Sequence, residues 1–85
     1  MVKIWGKILI EDKIIKSTTV EVEPSKTSFF EVLQNLCYQL NIPTPILMDK
    51  HVHDFNLFHF SSFRPDDFVE SVNFDKLVLQ LISDD

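Results

Sequence analysis

The chain has 85 residues, of which 45% are apolar and 25% are charged, with one cysteine and one glycine. This composition is ordinary for a globular protein and excludes a disordered chain, a collagen-like repeat and a disulfide-stapled scaffold. The net charge is −5, and residues 46–85 carry all of the acidic excess. With a single arginine, the chain lacks the clustered bases that bind nucleic acid or an anionic membrane surface. We therefore expect neither as a partner.

At this length we expect one domain that spans residues 1–85. The first residues alternate with lysine, and no apolar run approaches the roughly 20 residues that a bilayer span requires. We therefore expect neither a signal peptide nor a membrane anchor. The sequence predicts a cytoplasmic protein of a single-celled organism.

Alternating apolar residues predict a β-hairpin at the start of the chain. Residues 2–10 and residues 14–23 both alternate with a period of two, which is typical of strands. A polar turn at 11–13 joins them, as in an antiparallel hairpin. Pro24 ends the second strand because it has no amide hydrogen to donate to the ladder.

The next segment predicts a helix over residues 29–40. Ser28 and Glu31 have the spacing of a capping box, in which each side chain bonds the other residue's amide. The apolar residues that follow fall on one helical stripe: Phe29, Leu33, Leu36, Cys37 and Leu40. Pro43 and Pro45 then stop the helix. Cys37 is interpreted as a small core residue, because a reactive thiolate needs a helix N-terminus or a cationic neighbour.

The second half of the chain predicts shorter elements. Residues 46–48 indicate a brief strand. Residues 49–60 fit either a helix or a strand, and we favour a short helix over 50–58 followed by an extended piece. Residues 64–67 have the proline and acids typical of a helix start. Residues 76–82 are apolar on both faces, which favours the middle of a sheet.

This order of elements resembles the β-grasp family, and the chain is similar to ubiquitin in outline. The likeness rests on Val20–Thr27, on Ile42-Pro43 after the helix, and on Leu77–Leu81 at the end. It implies an α+β fold of β-grasp type, in which the first and last strands pair in parallel at the sheet centre. Because the chain ends in Ser-Asp-Asp rather than Gly-Gly, the family's conjugation and sulfur-carrier activities are not implied.

The sequence also resembles a second group of proteins and is compatible with a competing fold. Residues 43–70 resemble part of a group of short Firmicutes-type bacterial proteins of unknown function, which implies no activity. The competing architecture is a ferredoxin-like α+β sandwich, which needs a second full helix, and only residues 49–58 could supply it.

His51, His53 and His59 lie within nine residues and are candidate metal ligands. On a strand, the first two share a face, but His59 lies roughly 20 Å further along. On a helix, His51 and His59 are about 12 Å apart. A metal site would therefore need a fold-back of the chain or a symmetric dimer, and surface histidines are the simpler interpretation.

Other catalytic patterns are weaker. Asp66 and Glu70, with Asp67 between them, could share Mg²⁺ or Ca²⁺ on a helix, although a helix start favours the same acids electrostatically. Ser61 and Ser62 beside His59 lack an oxyanion hole and an orienting third group. A single glycine excludes glycine-rich phosphate loops.

Aromatic residues carry the strongest functional signal. Six of the eight phenylalanines fall between residues 55 and 74: Phe55, Phe58, Phe60, Phe63, Phe68 and Phe74. They form either a satellite core or an exposed patch for a partner. Trp5 lies on the strand face opposite Ile4, and the resemblance implies that no helix covers that face.

The sequence predicts a non-catalytic protein-interaction module with no cofactor. Its candidate partner-binding residues are Lys3, Trp5, Lys7, Phe58 and Phe63. The expected partner is a protein, and a second copy in a symmetric dimer is the simplest form. The alternative is a metal-binding protein that uses His51, His53 and His59.

Overall fold

The computed structural model describes residues 2–84, and the side chains of residues 2–82. It contains four strands and two helices in the order β1 (Val2–Ile10), β2 (Lys13–Val22), α1 (Phe29–Leu40), α2 (Asp49–Phe58), β3 (Phe60–Phe63) and β4 (Lys76–Asp84). A single 3-10 turn, Pro65–Asp67, lies between β3 and β4. The predicted α+β class is confirmed, as are the hairpin, the helix over 29–40 and the short helix followed by an extended piece.

The four strands form one sheet in the order β2-β1-β4-β3, and every neighbouring pair is antiparallel. The predicted central position of β4 beside β1 is confirmed. The predicted parallel pairing of these two strands is wrong, and the β-grasp arrangement is not confirmed. An apolar pattern on both faces indicates that a strand is central, but it does not indicate the direction of that strand. Here the chain turns back after β3, so that β4 runs antiparallel to β3 and to β1.

The hairpin turn has two residues, Glu11 and Asp12, between the paired Ile10 and Lys13. Both turn residues are left-handed, with φ of 51° and 64°. This geometry matches the twist of the flanking strands in a two-residue hairpin loop. The Asp75 carboxylate accepts a hydrogen bond from the Glu11 amide at 2.7 Å, which holds the turn against the start of β4.

Helix α1 begins at the predicted capping box. The Glu31 amide donates to the Ser28 hydroxyl at 3.2 Å, and the Glu31 carboxylate accepts from the Ser28 amide. Asn41 ends the helix in a left-handed conformation with φ of 59°. Where α1 packs on β1, a Cβ atom on Gly6 would lie 3.1 Å from Cδ2 of Leu36. The chain's only glycine therefore permits the close approach of α1 to β1.

The core lies between α1, α2 and one face of the sheet. Its residues at 0% exposure include Leu33, Leu36, Cys37, Phe63, Leu77 and Leu79. The predicted core role of Cys37 is confirmed. Burial raises the pKa of the Cys37 thiol to about 11, and a hydrogen bond from the Thr44 side chain partly offsets that rise.

Two short elements differ from their predictions. Residues 46–48 form no strand; the segment is an irregular connection in which the Ile46 amide donates to the Asp67 carbonyl at 2.8 Å. The predicted helix start near residue 64 is a single 3-10 turn. It stops there because Phe68 is extended and buried, with its ring centroid 5.5 Å from that of Phe74.

Candidate functional site

Both helices lie on the same face of the sheet, which we call the covered face, and its central residues are Ile4, Gly6 and Ile8. The opposite side is the open face. It consists of Lys3, Trp5, Lys7 and Leu9 from β1, Ile14, Ser17, Thr19 and Glu21 from β2, Lys76, Val78 and Gln80 from β4, and Phe60 and Ser62 from β3. No helix within residues 2–84 packs on it. The position of Trp5 on this face is as predicted.

The centre of the open face is a row of side chains that crosses all four strands. Thr19, Trp5, Gln80 and Phe60 are successive partners in the register. Because neighbouring strands lie about 4.8 Å apart, Trp5 and Phe60 are separated by roughly 10 Å, with Gln80 between them. The row therefore presents two aromatic rings with an amide between them.

Lys7 lies over the indole of Trp5. Its ammonium is 4.3 Å from the ring centroid and donates a hydrogen bond to Oε1 of Gln80 at 3.0 Å. A cation above an indole face is attracted to the ring's electrons. Trp5 is half-buried as a result, although no helix covers it.

Phe60 is an exposed apolar residue of the open face, and Phe58, the last residue of α2, lies beside it. Phe58 and Phe60 are 59% and 47% exposed, and their ring centroids lie 6.2 Å apart. Phe58, predicted as a binding residue, is therefore accessible. Phe60 was not among the predicted binding residues, although its register with Gln80 puts it on the same face.

The prediction that Phe63 binds a partner is wrong. Its side chain is 0% exposed and pairs with Leu77 on the covered face. Side chains alternate along a strand, so Phe60 and Phe63, three residues apart in β3, point to opposite faces. That period was visible in the sequence and could have separated the two. The aromatic excess supplies the core as well as the open face, because Phe68 and Phe74 are also buried.

The three histidines occupy different environments. His51 is 1% exposed, whereas His53 and His59 are exposed. His59 closes α2 in a left-handed conformation, and its carbonyl accepts from the Leu81 amide at 2.8 Å. Within the part of the chain that the structure describes, no group of three or more His, Cys, Asp or Glu side chains is placed to hold a metal ion. The predicted trio is not brought together.

His51 instead links α2 to the 3-10 turn. Its Nδ1 accepts a hydrogen bond from the Met48 amide at 3.0 Å, and its Nε2 lies 3.5 Å from a carboxylate oxygen of Asp67. The ring stacks on Phe63 with centroids 4.1 Å apart. The same Asp67 oxygen accepts from the Arg64 amide at 2.9 Å. Nδ1 is thus hydrogen-bonded, whereas the buried Nε2 lies near Asp67 without forming a hydrogen bond to any described residue.

The weaker catalytic patterns find no matching geometry. Ser61 is 1% exposed and its hydroxyl has no hydrogen-bond partner among the described residues. A buried hydroxyl without an accessible base is not an activated nucleophile. Asp66 and Glu70 do not share a helix, because the 3-10 turn ends at Asp67. The i, i+4 pairing that a helix would have given them is therefore not formed.

A groove of about 430 Å³ opens on the other side of the sheet, between α1, α2 and the ends of three strands. Its lining is mostly apolar, and Thr27, Asn56 and His59 supply its polar atoms together with the backbone. Among the described residues that line the groove, His59 is the one ionisable side chain, so these residues form no acid–base pair.

Comparisons with protein families, with curated proteins and with solved structures found no match. The resemblances to ubiquitin-like domains and to short bacterial proteins therefore stay predictions. Neither α1 nor α2 is long and apolar enough to cross a bilayer.

Proposed function

We propose that this chain is a non-catalytic protein-interaction module that binds its partner through the open face. The observation that carries the proposal is the position of Trp5 and Phe60 on a side of the sheet that no helix of residues 2–84 covers, with the exposed Phe58 of α2 beside Phe60. Exposed apolar patches on globular proteins often mark interaction sites. Tryptophan is also enriched among the residues that dominate binding energy.

The strands present these side chains on a rigid surface. Trp5 lies on β1, which pairs with a strand on each side, so its backbone is held by two ladders. Little backbone entropy is lost when a partner binds such a surface. Covering the exposed half of Phe60 contributes roughly 1 kcal/mol, and Phe58 contributes a similar amount.

Polar side chains surround these rings. Thr19, Gln80 and Ser62 carry hydroxyl or amide groups on the same face. Interfaces between separately folded proteins usually combine apolar side chains with hydrogen-bonding groups. The hydroxyl and amide groups supply hydrogen bonds that fix a partner's orientation.

Selection from a random peptide library displayed on phage tests the proposal. Peptides selected on the wild type are measured against the double variant Phe58→Ser/Phe60→Ser and against Tyr38→Ser. Tyr38 is the matched control because it is 86% exposed on α1, away from the open face. We expect the double variant to lose at least about tenfold in affinity and the control to bind as the wild type does. Absence of selected peptides, or equal binding by the double variant, would contradict the proposal.

Sedimentation of the wild type and of Trp5→Ala tests the simplest partner, a second copy. If the wild type dimerises through the open face, Trp5→Ala shifts it toward the monomer by much more than it lowers the melting temperature. A monomeric wild type leaves other proteins as the partners, and the peptide selection then decides. A large loss of stability without any change in association would mean that Trp5 is a core residue.

A further inference from the structure

We infer that the partner of the open face is an acidic protein segment that also carries apolar side chains. This inference rests on the proposed function and names the chemistry of the partner. Among the residues whose side chains the structure describes, 2–82, the open face carries three bases, Lys3, Lys7 and Lys76, and one acid, Glu21. The other residues from 2 to 82 carry five bases and ten acids. The open face is thus the basic side of an acidic protein.

Two of these lysines form no ion pair with the side chains of residues 2–82. The Lys76 ammonium lies 4.0 Å from Asp12, which offsets part of its charge. Lys3 and Lys7 form no ion pair with any carboxylate that the structure describes, and the Lys7 ammonium contacts only neutral groups, the Trp5 ring and the Gln80 amide. They flank Trp5 at two residues on either side, about 7 Å away along the strand. Lys3 faces Glu21 across the strands, so Lys7 is the lysine whose counter-charge a partner carboxylate would chiefly supply.

The same pattern disfavours a symmetric dimer through this face. A two-fold axis through the centre of the open face would bring Lys7 close to its own copy. Like charges placed together in an interface cost free energy, and lysine is depleted from interface centres. An acidic partner is attracted by the same lysines. Because the rest of this chain repels acids, the partner is also directed toward the open face as the two proteins approach.

A nucleic acid is the other anionic class that this face could attract. Polynucleotide binding draws its affinity from many phosphate contacts, each with a base. The open face offers three lysines, and ten acids lie elsewhere on the described chain. An acidic segment needs only a few charge contacts, because its apolar side chains pack on Trp5 and Phe60.

Sequencing the peptides from the phage selection tests this inference. We expect those that depend on Phe58 and Phe60 to be enriched in Asp and Glu together with apolar residues. Their affinity should fall at least about tenfold in Lys3→Gln/Lys7→Gln, weaken with added salt, and stay unchanged in Lys50→Gln, a control on α2. A single-stranded oligonucleotide added as competitor should not displace them.

The outcomes separate the two proposals. Selected peptides that need the open face but are neutral or basic would overturn the acidic partner and leave the interaction surface in place. An oligonucleotide that displaces the peptides and binds more tightly would likewise overturn it. Acidic peptides that bind equally well to Phe58→Ser/Phe60→Ser would overturn the interaction surface itself.

Discussion

The two faces of the sheet differ in what their side chains contact. On the covered face, Ile8, Leu77 and Leu79 are at most 2% exposed and pack beneath the helices. On the open face, the neighbouring positions of the same strands hold Trp5 and Gln80, which are half-buried, and polar groups lie among the apolar ones. Trp5 and Gln80 thus lie partly in water, although their strands also bury Leu9 and Val78 on the same face.

This difference separates stability from binding. Removal of a side chain from the covered face leaves a cavity between packed elements. Removal of an exposed one from the open face changes what a partner touches and leaves the core intact, whereas Leu9 and Val78 on that face are buried. Substitutions on alternate residues of one strand should therefore have different consequences.

The largest expected effect is on the covered face. Leu79→Ala should lower the free energy of unfolding by about 2–5 kcal/mol, because its side chain is fully buried. Phe60→Ala, on the strand next to it, should cost less than about 1 kcal/mol, because half of its ring is already in water. Urea denaturation of both variants measures the difference. Similar losses would mean that the open face is also part of the core.

His51 tests the polar contacts that join α2 to the 3-10 turn on the covered face. His51→Ala removes the acceptor of the Met48 amide and the neighbour of Asp67, and it empties space beside Phe63. We expect a loss of about 1–3 kcal/mol in the free energy of unfolding. His53→Ala, on the exposed side of the same helix, is the control and should change stability little. Equal losses of stability at the two positions would show that the buried contacts of His51 do not contribute to the free energy of unfolding.

Ser28 tests the start of α1, the helix that covers Gly6. Ser28→Ala removes the acceptor of the Glu31 amide and should cost about 1 kcal/mol by thermal or chemical denaturation. Ser25→Ala, in the exposed turn before the helix, is a matched control. A cost below about 0.3 kcal/mol would indicate that another group caps the helix in solution.

The smallest effect at neutral pH concerns Cys37. Burial raises the pKa of its thiol to about 11, whereas the pKa of a cysteine thiol in an unfolded chain is about 8.5. The folded state keeps the proton where the unfolded state loses it, so stability falls as the pH rises from about 8.5 toward 11. Cys37→Ala should lack this fall. Parallel pH profiles of both proteins would refute the buried thiol as its source.

Much of the covered face could be predicted from the sequence. The capping box at Ser28 and Glu31 and the stripe that includes Leu36 and Cys37 located α1 at its observed ends, because local chemistry decides where a helix begins. Alternation also located β1 and the central position of β4. These features depend on a residue's immediate neighbours in the sequence.

The rest depends on contacts between distant segments. The direction of β4 is set by how the chain returns from β3, which no local period records. His51 was interpreted as a surface or metal-binding residue, yet its partner Asp67 lies sixteen positions away and buries it. The candidate site was predicted in part: Trp5, Lys3 and Lys7 share the open face, whereas Phe63, a predicted binding residue, is buried.

If a partner binds over Trp5, the fluorescence of this residue should report the binding, because Trp5 is the chain's only tryptophan. Titration with a tryptophan-free acidic peptide from the selection should shift the emission to shorter wavelength and saturate, as water leaves the indole. Phe60→Ser should weaken that response, and Tyr38→Ser should preserve it. A peptide that binds while the emission of Trp5 stays unchanged would contradict the account.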